Sequence, residues 1–348
     1  MRAQEPGPAS PHEKLDRARE IAETVLFPAA LDVDGGQRGP AGHLDVLAAE
    51  GFYGLAVPAQ AGGGGVDYPT ACLIAEAFAG GCLTTAFVWI QHQGVVRRVL
   101  DAPAVLRESS LGPLCRGDRR AGVALGGSLP GPARLRARKV SGGYLLDGHS
   151  PWVTGWGMID TLAVAARDEQ DVLVWSLIDA KESDTLSVQP LRMVVASASG
   201  TVTARFAGHF VPEEQLLGGQ PFAEFSVQDA HGLRMNGSLA LGVLARCQAL
   251  LGASGLDEQA DACRAGLDEA TPENLPIARA AAAELAMRAA TALLVSTGSR
   301  GILLDQHAQR LVREAMFLCV FGSRPPIKAE LLARLEGLSE VGGPFVST

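Results

Sequence analysis

The chain has 348 residues, of which 47% are hydrophobic, and its 38 acidic and 30 basic side chains leave a formal net charge of −8. This hydrophobic fraction excludes a wholly disordered chain, and the length suggests two or three structural units. The acidic balance argues against non-specific binding to nucleic acid or to an anionic membrane. The basic clusters at 116–120 and 134–139 are too short to change that expectation.

The six cysteines are scattered, without a Cys-x-x-Cys pair or a Cys/His cluster. We therefore expect free thiols, with neither a disulfide framework nor a metal site. Uncharged apolar runs stay shorter than the roughly 18–20 residues of a membrane span, and the N-terminal segment 1–11 contains no apolar signal core. These features predict a cytoplasmic protein that does not enter a membrane.

Apolar residues recur with helical spacing over residues 12–118. The helices are expected at 13–26, 43–50, 68–78 and 84–100. A run of four glycines, Gly62–Gly65, lacks the pattern of a phosphate-binding loop and is more typical of a flexible connection.

The period changes over residues 119–220, where short alternating segments are separated by turns rich in Gly, Ser and Asp. Strands are expected at 139–147, 161–167, 171–178 and 201–211. On the last of these, Val202, Ala204 and Phe206 share one face. This pattern predicts an antiparallel sheet or barrel.

Helical periodicity returns over residues 221–348, and the expected helices are 233–251, 275–297, 306–320 and 327–338. The stretch 264–276 between them is expected to be a loop. The predicted fold is α+β, with an N-terminal helical domain (1–118), a middle antiparallel β domain (119–220) and a C-terminal helical bundle (221–348). Because the helix at 276–297 is apolar on more than one face, we expect the bundle to form a dimer or tetramer.

Four motifs in this order resemble the acyl-CoA dehydrogenase superfamily of flavoproteins over residues 14–335. The segment 51–58, GFYGLAVP, with the glycines after it, is similar to G-[LF]-x-G-[LI]-x-V-P…G-G-x-G. The segment 143–154, GYLLDGHSPWVT, is similar to G-[YW]-x-[LI]-[ND]-G-x-K-x-W-[IV]-T, with Ser150 at the lysine position. The segments 198–218 and 298–315 resemble the end of the family's β domain and its G-G-x-G-Y…E-R-x-x-R-D-A helix.

The resemblance implies an FAD-dependent oxidoreductase acting on the CH–CH group of an acyl thioester, carried by CoA or by a carrier protein. It assigns the flavin wall to Trp152, Val153 and Thr154. An indole can cover a flat apolar ring, and a threonine hydroxyl can reach one of the ring heteroatoms. A core position is the alternative interpretation of Trp152.

The catalytic base is not assigned. At the position where the family usually has a glutamate the chain has Gly322, and at the position used by a minority of relatives, before Arg234, it has Leu233. Neither can take a proton, although removal of the weakly acidic α-proton of a thioester needs a base. Three substitutes are considered, each with a structural alternative: Asp229, His231 and His307. His92 lies where relatives often line the acyl pocket, and a histidine satisfied within its helix is the alternative.

The expected cofactor contacts are also reduced. The family's L-T-E-P-x-x-G-S-D loop is shortened to LGGSLPG at 125–131, and its R-x-Q-F-G-x-P motif is absent between Cys263 and Ala280. Two alternative functions therefore stay open. One is a catalytically reduced partner subunit of a hetero-oligomeric dehydrogenase, and the other is a flavin-dependent monooxygenase or oxidase.

Overall fold

The computed structural model describes residues 10–228, 230–252 and 254–337. Its N-terminal part is helical, and a π-helical turn, Ala22–Leu26, directly extends the first helix. The helices are α1 (Pro11–Ile21), α2 (Ala30–Asp34), α3 (Ala41–Ala49), α4 (Tyr68–Gly81), α5 (Leu83–Leu100) and α6 (Ala104–Arg116). Ser10 and Glu13 form a reciprocal capping box at the start of α1, which satisfies two backbone donors there.

Eight strands follow and form one sheet in the order β6-β7-β3-β2-β4-β5-β8, with β1 paired to β4. The strands are β1 (Ala121–Ala124), β2 (Leu135–Val140), β3 (Gly143–Val153), β4 (Thr161–Arg167), β5 (Val172–Asp179), β6 (Leu186–Pro190), β7 (Val202–Pro212) and β8 (Leu216–Pro221). Val202, Ala204 and Phe206 of β7 are all buried, as their alternation predicts.

The sheet differs from the expectation in two respects. The segment 139–147, expected as one strand, contains a hairpin turn, because Val140 pairs with Gly143 and Gly142 has a φ of +76°. The pairings of β1 and of β2 with β4 are parallel, whereas the remaining pairings of the described strands are antiparallel.

The C-terminal part is again helical, so the predicted order of helices, sheet and helices is confirmed. Its helices are α7 (Phe222–Gln228), α8 (Ala230–Leu251), α9 (Asp257–Asp268), α10 (Leu275–Thr297), α11 (His307–Val320) and α12 (Pro325–Leu335). The loop expected at 264–276 is wrong in its first part, because α9 continues to Asp268.

Close packing of α4 on α8 joins the two helical parts. A Cβ atom at Gly242 would lie 2.3 Å from the carbonyl oxygen of Glu76, and one at Gly80 would lie 2.9 Å from that of Gly242. Side chains of both helices, including Phe78 and Leu239, lie in one hydrophobic core. All six cysteines are free thiols, as predicted.

One helical segment, Leu275–Ile302, is long and apolar enough to cross a membrane by length and composition alone. Its helix α10 packs against α8, α9, α11 and α12. A core helix of a soluble protein passes the same test of length and composition.

Candidate active site

A cavity of about 330 Å³ lies where the first helical part, the sheet and the start of α8 meet. Most of the side chains that line it are aliphatic or aromatic, which suits an apolar ligand. They come from the segment between α3 and α4, from α4, α5, β1 and the residue after it, β4, β5, α7, α8 and the segment after α11. They include Leu55, Val57, Ala71, Ile90, Val95, Val96, Val123, Leu125, Trp175, Phe225, Met235 and Phe321.

Three polar side chains on the wall formed by α5 are already bound within the protein. Trp89 Nε1 and Gln93 Nε2 both donate to the carbonyl oxygen of Phe52, at 3.0 and 3.2 Å. Gln91 Nε2 donates to the carbonyl oxygen of Phe87, one turn earlier on its own helix, at 3.1 Å. These hydrogen bonds fix the three side chains in the wall, so their nitrogens are less available to bind a ligand.

Gly322 lies on the opposite wall, directly after α11, with a left-handed φ of +62°. A Cβ atom added there would lie 2.7 Å from Nδ2 of Asn236, which projects from α8 into the same region. The side-chain amide of Asn236 therefore stands where the first atoms of a larger residue at 322 would be.

The second position considered for a base does not face the cavity. Leu233 packs within the helical bundle. The neighbouring Arg234 is buried and donates to Asp268, at 2.6 and 2.9 Å, and to Ser238 at 2.9 Å. This network holds α8 against α9.

The described lining contains no Asp, Glu, His or Lys. Its ionisable side chains are Tyr68, Arg97, Arg98 and Arg324. Burial raises the pKa of Tyr68 well above its usual range, so its phenol stays protonated. Within the described lining, no side chain can act as a proton acceptor near neutral pH.

The structure excludes a core position for Trp152, because its side chain is 62% exposed. Its φ of +62° is unusual for a bulky residue, and the pairing of β3 with β7 shifts register between Ser150 and Val153. Such strained, bulged positions cluster at functional sites. The exposed indole is therefore available to cover a flat ligand.

Val153 and Thr154, by contrast, are buried. Val153 pairs with Val202 in the sheet. The Oγ1 atom of Thr154 lies 3.2 Å from that of Thr201, which lies 2.7 Å from Ser199 Oγ. Each hydroxyl in this row keeps further hydrogen-bonding capacity, so a ring heteroatom beside Thr154 could still be bound.

Strand β1 connects this segment to the cavity. A Cβ atom at Gly122 would lie 2.9 Å from the carbonyl oxygen of Thr154, and the next residue, Val123, lines the cavity. The exposed indole of Trp152, two residues before Thr154, offers a flat face to a heteroaromatic cofactor such as a flavin.

Arg167 holds the shortened loop at 125–131. Its guanidinium donates to the carbonyl oxygens of Gly127 and Leu129, both at 2.8 Å, and to that of Gly131 at 3.3 Å. The side chain is 8% exposed and lies over the ring of Phe222. The loop is thus fixed by one arginine, a contact that the sequence analysis did not find.

The arginine of the segment 264–276, where the R-x-Q-F-G-x-P motif is absent, is paired within the protein. Arg264 of α9 pairs with Glu76 and Asp261, both within the same protein. No arginine of the segment 264–276 is therefore free to meet a cofactor phosphate.

The structure assigns two of the proposed histidines to structural roles. His92 is 1% exposed, accepts from the backbone N–H of Ala121 at 3.0 Å and donates to the carbonyl oxygen of Leu114 at 3.1 Å. Burial lowers its pKa to about 3, so it stays neutral. His307 stacks on Phe27, with ring centroids 4.3 Å apart, and burial lowers its pKa to about 4.

The other two candidates cannot be placed at the cavity. Asp229 lies outside the described residues, and His231 is described only as part of the backbone of α8. Within the described chain no group of three His, Cys, Asp or Glu side chains could hold a metal ion.

Residues 11–118 match the family described as acyl-CoA dehydrogenase, N-terminal domain. A 3-sulfinopropanoyl-CoA desulfinase of Cupriavidus necator is 25% identical over 161 residues, 43% of this chain and 40% of that protein. The mitochondrial short-chain specific acyl-CoA dehydrogenase of Bos taurus is 25% identical over 226 residues, 60% of this chain and 53% of that protein. The matched segments thus span less than two thirds of these relatives.

Solved structures share the fold over almost the whole chain. Butyryl-CoA dehydrogenase of Megasphaera elsdenii has a TM-score of 0.82 and 18% identity, covering 97% of this chain and 100% of that one. The structure of PigA with FAD and proline has a TM-score of 0.81 and 19% identity, covering 97% and 99%. These structures show the fold of the whole chain, and the family match concerns its N-terminal helical part, residues 11–118.

Proposed function

We propose that the chain is an FAD-dependent oxidoreductase that acts on the CH–CH group of an acyl thioester. The observation that carries this proposal is the apolar cavity, which β1 connects to Thr154, two residues after the exposed Trp152. A ligand with an apolar chain would enter the cavity, and a flat cofactor would rest on the indole. The names of the acyl-CoA dehydrogenase relatives support the substrate class.

When bound, the flavin would supply the hydride acceptor for the reaction. Trp152 would cover its ring, and the hydroxyl of Thr154 would bind a ring heteroatom. Val153, held in the sheet, would offer its backbone. The aliphatic and aromatic lining would exclude water from the acyl chain, and Arg167 would keep the adjoining loop in place.

The proton acceptor has to come from outside the described lining. Within this chain Asp229 and His231 are the candidates, since both come in sequence between the cavity residues Phe225 and Gly232. A partner subunit that brings a carboxylate is the other source. An oxygen-activating reaction would not need this base at all.

The proposed assembly is a dimer or tetramer formed through the C-terminal helices. Large apolar side chains there, among them Val295, Leu304 and Val320, are 75%, 84% and 69% exposed. Covering such residues by another subunit would remove apolar surface from water. The six free thiols suit a reducing compartment, and we propose the cytoplasm.

Anaerobic titration of the purified protein with acyl-CoA thioesters tests the proposal. We expect bound FAD, measured after denaturation, and loss of the long-wavelength flavin absorbance when the thioester is added. Binding of flavin without reduction by any thioester would favour the partner-subunit function, and addition of a second family member should then restore reduction. Neither flavin nor thioester binding would contradict the proposal.

A further inference from the structure

Asn236 differs from the other side-chain amides that line the cavity. The nitrogens of Gln91 and Gln93 donate to backbone carbonyls of α5 and of the preceding segment. Among the described residues, neither polar atom of Asn236 has a hydrogen-bond partner, and its side chain lines the cavity. An amide so placed retains two donors and an acceptor for a ligand.

The backbone around Asn236 leaves room for such a ligand. Gly232 lies one helical turn before Asn236 on the same face of α8, and both line the cavity. Gly322 adds no side chain on the facing segment, and a Cβ atom there would approach Asn236 Nδ2 to 2.7 Å. Two glycines therefore border the amide of Asn236, on a wall that also includes Met235, Phe321 and Arg324.

The hydrogen-bonding capacity of the Asn236 amide determines which acyl chain binds best beside it. A plain alkyl chain pressed against Asn236 would remove water from the amide without replacing its hydrogen bonds, which is unfavourable. A hydroxyl or carbonyl oxygen on the chain would satisfy the amide. Sites built to bind a substrate hydroxyl reject the analogue that lacks it far more strongly than apolar pockets reject an added group.

We propose that Asn236 is a specificity-determining residue that binds an oxygen substituent on the acyl chain of the thioester. The preferred ligand is thus a hydroxyacyl or oxoacyl thioester in place of the simple alkyl one. This inference rests on the proposed function, because it takes the ligand to be an acyl thioester.

Equilibrium binding by calorimetry, with acyl chains of equal length, tests the inference. The unmodified protein should bind acyl-CoA ligands with a hydroxyl or oxo group beyond the β-carbon about tenfold to a hundredfold more tightly than the matching alkyl acyl-CoA. In Asn236→Leu, which keeps the size of the side chain but not its polarity, the oxygenated ligands should bind about tenfold more weakly. The alkyl ligand should then bind as tightly or more tightly.

Gln91→Leu is the matched control, because it removes a cavity amide whose nitrogen is already bound within α5. It should leave the preference unchanged. Asn236→Ala repeats the test with a smaller side chain, and thermal unfolding verifies that each variant is folded.

The possible results separate the two proposals. Equal weakening of alkyl and oxygenated ligands in Asn236→Leu would mean that Asn236 binds the thioester carbonyl or the carrier, and would overturn the inference. Tight binding of all thioesters with no effect of Asn236 variants would overturn the inference alone. Failure of the unmodified protein to bind any thioester would overturn both the inference and the proposed function.

Discussion

His92 of α5 accepts a hydrogen bond from the backbone N–H of Ala121, the first residue of β1, at 3.0 Å. Its other ring nitrogen donates to the carbonyl oxygen of Leu114 in α6. One buried neutral ring thus joins two helices to the strand that borders both the cavity and Thr154.

This arrangement predicts a loss of stability in acid. The pKa of His92 is about 3 in the folded protein and about 6.5 when the chain is unfolded. The stability that depends on neutral His92 is therefore complete above about pH 6.5 and is lost as the pH falls towards 3, by at most about 1.4 kcal/mol per pH unit. Urea unfolding at several pH values measures it.

The difference in pH-dependent stability between the parent and His92→Gln separates the contribution of His92 from those of other titrating groups. The free energy of unfolding of His92→Gln should depend less on pH in that range. His12→Gln, at an exposed position of α1, should show the pH dependence of the parent. An unchanged pH dependence in His92→Gln would contradict the assignment.

Substitution of Trp152 should separate cofactor binding from stability. Because the indole is exposed, Trp152→Ala should change the free energy of unfolding by no more than about 0.5 kcal/mol. The ratio of FAD to protein after purification should fall. Phe210→Ala, which removes another exposed aromatic ring of the β domain, should retain flavin as the parent does. Equal retention in both variants would argue against a flavin wall at Trp152.

Arg167 should matter more for stability than an ordinary surface arginine. Its loss leaves three loop carbonyls without their donor, and we expect Arg167→Met to lower the free energy of unfolding by about 2–3 kcal/mol. Hydrogen exchange at 127–131 should accelerate. Arg119→Met, which breaks the exposed pair with Asp179, should cost about 0.5 kcal/mol or less. Similar costs for the two variants would show that the loop does not depend on Arg167.

Gly322 should tolerate side chains poorly. An alanine in left-handed conformation costs about 1–2 kcal/mol, and its Cβ atom would also displace Asn236. Gly322→Ala should therefore lower the free energy of unfolding by at least about 1 kcal/mol in urea titrations. Adding Asn236→Ala should relieve the contact and leave the backbone cost. A Gly322→Ala variant as stable as the parent would disprove this explanation.

A substitution at position 322 also tests whether the missing catalytic base limits thioester oxidation. Gly322→Glu, combined with Asn236→Ala to make room, places a carboxylate on the cavity wall. General-base catalysis typically contributes about 10²–10⁴ in rate, so thioester oxidation with saturating FAD should rise. No increase, in a variant that still folds and binds flavin, would indicate that the base is not what the chain lacks.

The proposed oligomer can be tested by introducing one charged residue into the C-terminal helical part and, as a control, one into the N-terminal helical part. Val320→Asp should shift the protein towards the monomer in sedimentation experiments, because Val320 is one of the exposed apolar residues of the C-terminal helices. Val105→Asp, at an equally exposed position of α6, should leave the assembly unchanged. A monomer at micromolar concentration without any substitution would contradict the proposed oligomer.

The local sequence pattern was sufficient to predict much of the fold. The helix at 275–297 was predicted with the ends that α10 has, because its apolar periodicity and the Gly298 after it are local signals. The sequence predicts a loop from 264, but α9 continues to Asp268, because the amphipathic pattern of 257–268 extends past the start of that segment.

The site was less predictable because its decisive features are tertiary. Trp152 was selected by resemblance, but its exposure depends on the bulge between β3 and β7. Asn236 and Arg167 carry no sequence signal of their own: one is defined by a glycine 86 positions away, and the other by carbonyls about 40 positions away.

The glycine contact between α4 and α8 limits how the cavity could evolve. Both helices line it, and at Gly80 and Gly242 their backbones already touch. Neither helix can move inward, and outward movement would open a gap in the core. New ligand sizes would therefore arise by exchanging side chains such as Ala71 or Met235, while the separation of these two walls is conserved.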